Sequence, residues 1–252
     1  MIRIDQMYIA PVKALALAQV TRAYLDKPGI AGDRAFYIVD TGDRLFTQRD
    51  YGPLVQVCPA YDARTGELQL TFPGGRVITG VPELGAAVST PFWGGRPVVG
   101  QVLRGEWNEA LSEFAGLPLR LVKAVTAGSS FDGFPLSLCS TASLQALAQA
   151  AGQERVDGRR FRQNVYISGA SPHQEDDWIG GEVRVGQALV RVKMADSRCV
   201  VTTHSPETGE VDLNTLKLIA SYRTGQPNEV NFGVYCTVVE AGEAAVGDEV
   251  IP

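Results

Sequence analysis

Ala35-Phe36-Tyr37-Ile38-Val39-Asp40-Thr41-Gly42 sets a run of aromatic and β-branched side chains against an Asp-Thr-Gly turn. Aromatic and β-branched residues suit a pleated, half-buried backbone, and Asp and Gly suit a tight reversal, so the segment reads as a short strand and its turn. Working outward, Leu68 to Phe72 and Val98 to Leu103 repeat the unit, with Arg64-Thr65-Gly66, Pro73-Gly74-Gly75 and Gly94-Gly95 as punctuation. Short strands with regular turns predict a first half that is mostly sheet. Strands are expected again at Asn164 to Ser168, Glu182 to Val185, Leu189 to Met194, Arg198 to Thr203 and Phe232 to Glu240, and Val246 to Val250 reads as a turn closing a final strand.

Three segments carry apolar residues at helical spacing instead. They are Trp107, Leu111 and Phe114 ending at Gly116; Leu144, Leu147 and Ala148 ending at Gly152; and Leu213, Leu216, Ile219 and Ala220 before Gly225. Ser140 stands where a capping hydroxyl would start the second helix. The fold class expected is mainly β with a few helices (α+β), with strands closed into barrels that remove their own edges. Ala124 to Ser137 has no periodicity and reads as an interdomain loop, so the chain divides near residue 120, into 1–120 and 121–252.

Composition narrows the function. A chain of 252 residues with 45% hydrophobic and 20% charged residues is an ordinary globular protein of one large or two small domains. A net charge of −5 is the opposite of a nucleic-acid footprint. No charged leader precedes an apolar run at the N-terminus and no stretch is long enough to span a membrane, so a cytoplasmic protein with no membrane partner is expected. Cys58, Cys139, Cys199 and Cys236 form no C-x-x-C and read as free thiols in a reducing compartment.

The densest polar segment runs from Asp196-Ser197-Arg198-Cys199 to Pro206-Glu207-Thr208-Gly209. A cationic neighbour favours thiolate, so Cys199 reads either as a nucleophile or soft-metal ligand or as a small buried hydrophobe. The other three cysteines sit in apolar sequence and read as core. Arg159-Arg160-Phe161-Arg162-Gln163-Asn164 would suit a phosphate or other planar anion, or form a solvated basic turn. Lys13 and Asp33-Arg34 read alone as surface charges, and Glu175-Asp176-Asp177-Trp178 as an acidic loop. P-loop, dinucleotide, α/β-hydrolase and zincin motifs do not occur.

Taken together, these segments resemble the MOSC proteins, named after the C-terminal domain of molybdenum-cofactor sulfurase, in the two-domain form with an N-terminal MOSC β-barrel. The matching pieces are Pro11-Val12-Lys13, Gly32-Asp33-Arg34, Asp132 to Pro135 followed by Ser143-Leu144, Phe161-Arg162-Gln163-Asn164, Glu175-Asp176 with Trp178, Ser197-Arg198-Cys199 through Thr208-Gly209, Leu216 with Ser221-Tyr222-Arg223, and Val246-Gly247-Asp248. The resemblance implies a MOSC-type, pyruvate-kinase-barrel-like β-barrel and a molybdenum-molybdopterin cofactor. Cys199 matches the protein ligand to the metal, and Lys13, Arg34, Arg162, Asn164, Ser197 and Arg198 match positions that hold phosphate and pterin. The chain departs from the family at Ala14, where many relatives have Ser, and at Gln163, where many have Pro.

What the resemblance further implies is an oxidoreductase that removes oxygen from N-hydroxylated small molecules at the metal. With no ferredoxin segment after Pro252, electrons are expected from a separate protein of ferredoxin, flavodoxin or cytochrome type. The alternatives are a sulfur-transfer protein using a Cys199 persulfide and a non-enzymatic carrier of the cofactor. Pyridoxal phosphate finds no lysine in a recognisable Schiff-base setting. The loops near 124–137 and 171–180 are expected to shape the substrate pocket.

Overall fold

Strand and turn signals become nineteen strands and three α-helices in the computed structural model, which describes residues 1–223 and 230–252. β1 (Ile2–Ile9), β2 (Ala18–Val20), β3 (Arg22–Asp26) and β4 (Gly29–Ile30) open the chain. They are followed by β5 (Phe36–Val39), β6 (Leu45–Phe46), β7 (Cys58–Asp62), β8 (Glu67–Thr71), β9 (Val77–Gly80), β10 (Leu84–Pro91) and β11 (Pro97–Leu103). Helix α1 (Glu106–Ala115) leads to β12 (Arg120–Ala124), β13 (Leu136–Ser140), α2 (Thr141–Ala151) and β14 (Val165–Ser168). The chain then runs through β15 (Glu182–Val185), β16 (Ala188–Ser197), α3 (Thr215–Tyr222), β17 (Asn231–Glu240), β18 (Gly242–Ala245) and β19 (Glu249–Ile251).

Seven strands close on themselves in the order β14, β13, β17, β16, β15, β19, β1 and back to β14. Closure leaves no free edge around the barrel. Only β13 and β14 run parallel among these pairs, and α2 makes the crossover such a pair needs. Inward residues such as Ile4, Met7, Leu136, Val165, Val183, Val190 and Val234 fill the barrel. The N-terminal β domain holds a five-stranded sheet, β10-β11-β12-β5-β6, and a three-stranded one, β7-β8-β9, around Phe36, Leu54, Leu68, Trp107 and Leu121.

The boundary expected at residue 120 does not follow these pairings. β1 belongs to the barrel, and β3 pairs with β18 near the other end of the chain, while β12 pairs with β11 and β5 in the N-terminal sheet. Strand pairing is non-local, and an aperiodic stretch of sequence does not reveal it.

The helix signals land where expected. Gly116 and Gly152 close α1 and α2 in the left-handed region at φ 70° and 63°, as C-terminal caps do. The Ser140 hydroxyl accepts the Ser143 N–H at 3.1 Å. Asn214 caps α3, so Leu213 precedes the helix, and Gly225 lies outside the described residues.

The expected strand at Arg198 to Thr203 is instead a break. Pairing of β16 with β17 ends at Ser197 opposite Asn231, and Val200–Thr203 forms a 3-10 turn. Its hydroxyls explain the turn: Thr202 Oγ1 donates to the Cys199 carbonyl at 3.0 Å and Thr203 Oγ1 to that of Val200 at 2.7 Å. Such local bonds compete with a sheet ladder.

Gly52 and Gly209 pass back to back, joining the N-terminal β domain to the loop that follows this turn. A Cβ on Gly209 would lie 2.1 Å from the Gly52 carbonyl carbon and oxygen, and Gly209 has φ +79°. Gly209→Ala is expected to destabilise the protein by about 2–4 kcal/mol in urea unfolding, because neither backbone has a soft direction to yield. A change below about 0.5 kcal/mol would mean the two segments separate freely.

Candidate functional site

The barrel and the N-terminal β domain enclose a cavity of about 210 Å³. Lys13, Arg34, Arg162, Asn164, Ser197, Arg198 and Cys199 all stand on its wall, so residues scattered over 187 positions of sequence converge on one space. Arg49, Arg160, Asp132, Asp196, Phe134, Tyr235 and Trp93 complete much of the lining. Five arginines and a lysine line the cavity beside two carboxylates, in a protein whose overall charge is −5.

Each cation is held differently. Lys13 is buried and its Nζ donates to Asp132 Oδ1 at 2.7 Å and to the Ser130 carbonyl at 3.2 Å. Burial pushes its pKa down against the pull of Asp132. Arg34 pairs with Asp33 and donates to the Arg162 carbonyl at 3.1 Å. Arg160 is bidentate on Asp212, at 2.6 and 2.7 Å. Arg162 stands apart: it forms no salt bridge among the described residues, and its buried Nη2 has no hydrogen-bond partner. Burial first, and the like charge of Arg34 second, push its pKa down to about 10. A guanidinium so placed lacks the anion that would stabilise it.

Asn164 and Arg198, on the same wall, also carry bonds within the protein. Asn164 donates to Asp33 Oδ2 at 3.0 Å and to the Tyr8 carbonyl at 3.2 Å, and its Oδ1 accepts from the Ser137 N–H and hydroxyl. It therefore orients Asp33, which orients Arg34. Arg198 donates to the Phe232 carbonyl at 2.8 and 2.9 Å, to the Phe161 carbonyl at 2.8 Å, and pairs with Asp196. Its side chain points back into the protein and fixes the backbone that presents Cys199.

Cys199, half-buried, opens the 3-10 turn in extended conformation and faces the cavity. Cys139 and Cys236 are core thiols whose pKa burial raises, that of Cys236 to about 12. Cys58 departs from the sequence expectation, being exposed on β7. Sequence reasoning did not single out Asp196. Its carboxyl is buried beside Arg198 and Gln163, and burial raises its pKa to about 6 despite Arg198. Its place immediately before Ser197-Arg198-Cys199 was the available signal. Trp93 and Arg49 carried none, since only the fold brings the N-terminal turns to the cavity.

The two loops expected to shape the pocket separate here. Phe131, Asp132 and Phe134 line it, whereas residues 171–180 are absent from its wall among the described residues. That second segment packs behind α2. Glu175 is fully buried and accepts from the Ser140 N–H and the Ser143 hydroxyl, and His173 Nε2 meets the Tyr222 hydroxyl at 3.3 Å. Burial, aided by Arg223, lowers the His173 pKa to about 4. The unfolded chain therefore takes up this proton below its ordinary value near 6.5, while the folded chain resists until about 4. His173 contributes stability above pH 6.5 that is lost as pH falls toward 4, about 2 kcal/mol after solvent screening. Urea unfolding of wild type and His173→Gln should diverge by that amount between pH 7 and 4.5, and a constant difference would contradict the assignment.

The MOSC domain family matches residues 126–251, and the MOSC N-terminal beta barrel domain matches residues 1–88. The chain belongs to the MOSC domain family. Within this MOSC chain, the first match supplies Arg162, Asn164, Ser197, Arg198 and Cys199, and the second supplies Lys13 and Arg34. Human mitochondrial amidoxime reducing component 2 is 35% identical over 130 residues, which is 47% of this chain and 37% of that protein. Mouse mitochondrial amidoxime-reducing component 1 is 35% identical over 127 residues, 47% of this chain and 36% of that protein. Molybdenum cofactor sulfurase of Drosophila grimshawi is 27% identical over 247 residues, 91% of this chain and 31% of that protein. The chain thus spans about a third of the length of these relatives. The YuaD protein of Bacillus subtilis superposes with a TM-score of 0.47 at 16% identity, covering 99% of this chain and 94% of that one. No helix among the described residues is long and apolar enough to cross a membrane.

Proposed function

We propose that this MOSC protein is a molybdenum-cofactor-binding oxidoreductase that reduces N-hydroxylated compounds such as amidoximes and hydroxylamines. The observation that carries the reading is the partly buried Arg162 guanidinium, its Nη2 without a hydrogen-bond partner, on the same wall as Cys199. An anionic pterin phosphate satisfies the first, and a soft metal suits the thiolate of the second. The similarity to amidoxime reducing components supports the choice of substrate class.

The residues present fit such a group. Lys13, Arg34 and Arg162 would hold the phosphate and pterin, and Cys199 would be the protein ligand. When bound, the cofactor supplies two-electron redox chemistry. Asn164, through Asp33, keeps Arg34 in position, and Arg198 locks the turn that presents Cys199. Asp196, with its pKa near 6, holds a proton at its carboxyl in an appreciable fraction of molecules around that pH. An amidoxime, two electrons and two protons give an amidine and water, and the electrons come from a separate one-electron carrier of ferredoxin, flavodoxin or cytochrome type.

The test is anaerobic conversion of benzamidoxime to benzamidine by cofactor-loaded protein with a chemical reductant. Steady turnover supports the reading. A fully loaded protein that produces no benzamidine overturns it.

A further inference from the structure

The mouth of the cavity is built from two turns of the N-terminal β domain. One is Thr47–Asp50, fixed by bonds from the Thr47 N–H to Asp50 Oδ2 at 2.9 Å and from the Arg49 N–H to the Thr47 hydroxyl at 3.2 Å. The other joins β10 to β11 and carries Trp93. Arg96 anchors it by donating to the Ser129 carbonyl and, at 2.7 Å, to that of Phe131. The Trp93 indole donates to Asp132 Oδ1 at 2.6 Å, which ties the N–H edge of its ring to the wall.

Arg49 lies over the Trp93 ring, its guanidinium carbon 4.4 Å from the ring centroid. It forms no salt bridge among the described residues, unlike Arg34, Arg160 and Arg198 on the same wall. Trp93 remains 48% exposed. An exposed cation stacked on an exposed indole, both carried on braced turns and both lining the cavity, forms a combined aromatic and anion-binding surface.

We infer that Arg49 and Trp93 form a substrate subsite selecting planar aromatic compounds that carry a carboxylate remote from the N-hydroxyl group. The aromatic ring packs against Trp93, and the carboxylate takes the planar fork of Arg49. This assignment rests on the reductase reading for the identity of the reacting group, and on the mouth geometry alone for the rest.

The experiment is a fluorescence titration of oxidised, cofactor-loaded protein without electron donor, so that no turnover occurs. The probes are 4-carboxybenzamidoxime and uncharged benzamidoxime, and Trp93→Phe identifies the part of the signal due to this indole. Wild type should bind the carboxylated probe about tenfold more tightly, as one charge-assisted contact provides. Arg49→Ala should bring that ratio to about one, with Arg49→Lys between. Equal affinities in wild type, or a ratio unchanged in Arg49→Ala, would overturn the subsite. Binding at Arg49 without reduction when donor is added would overturn the reductase reading and leave the subsite standing. Reduction of both probes with equal affinity would do the reverse.

Discussion

Arg162→Met is expected to leave the fold intact, raise the stability of cofactor-free protein by about 1–3 kcal/mol, and lower cofactor retention about 10- to 100-fold. The two effects have one origin. Burial and Arg34 together depress the Arg162 pKa from 12.5 to about 10, so without a partner the charged side chain disfavours the folded state. Methionine fills similar space without a charge and removes that cost. It also removes a guanidinium able to make forked bonds to phosphate, each charge-assisted contact being worth about 1.5–3 kcal/mol. Urea unfolding of the apo protein and pterin content after gel filtration check the pair. A less stable variant that keeps its cofactor would mean Arg162 serves the fold.

Cys199→Ser is expected to lower benzamidoxime reduction by at least about 1,000-fold while changing stability by less than about 0.5 kcal/mol. Cys199 is half-buried at the start of a turn whose bonds use its carbonyl, which serine retains. The fold therefore has little to lose. Chemistry loses a great deal, because a serine hydroxyl does not ionise near neutral pH and is a poor ligand for a soft metal. Anaerobic turnover with a chemical reductant and thermal unfolding by circular dichroism check both halves. Retained turnover would remove Cys199 from the reaction. Sulfur transfer would show a different mark, a 32-Da adduct on wild type after incubation with a cysteine desulfurase and none on Cys199→Ser.

Much of this was legible in the sequence where the signal is local. The strand of Phe36 to Val39, the caps at Ser140, Gly116 and Gly152, and the polar segment from Asp196 to Gly209 around Cys199 are written in neighbouring residues. Pairings of β1 with β14 and of β3 with β18 join distant parts of the chain, and an aperiodic loop after residue 120 carries no signal of them. The Arg198 to Thr203 stretch looks like a strand by its β-branched content, yet its threonine hydroxyls turn the chain. Residue type also could not separate Arg162, open to the cavity, from Arg198, which is committed to the Phe161 and Phe232 carbonyls. Trp93 and Arg49 needed the packed domains before their partnership existed.

The most direct measurement is metal and pterin content of wild type and Cys199→Ser, both expressed in a host that makes molybdenum cofactor, by inductively coupled plasma mass spectrometry and by fluorescence of the oxidised pterin. Near-stoichiometric molybdenum and pterin in wild type, with molybdenum reduced in Cys199→Ser, is the expected result. Well-folded wild type that carries neither would contradict the cofactor site built by Lys13, Arg34, Arg162 and Cys199.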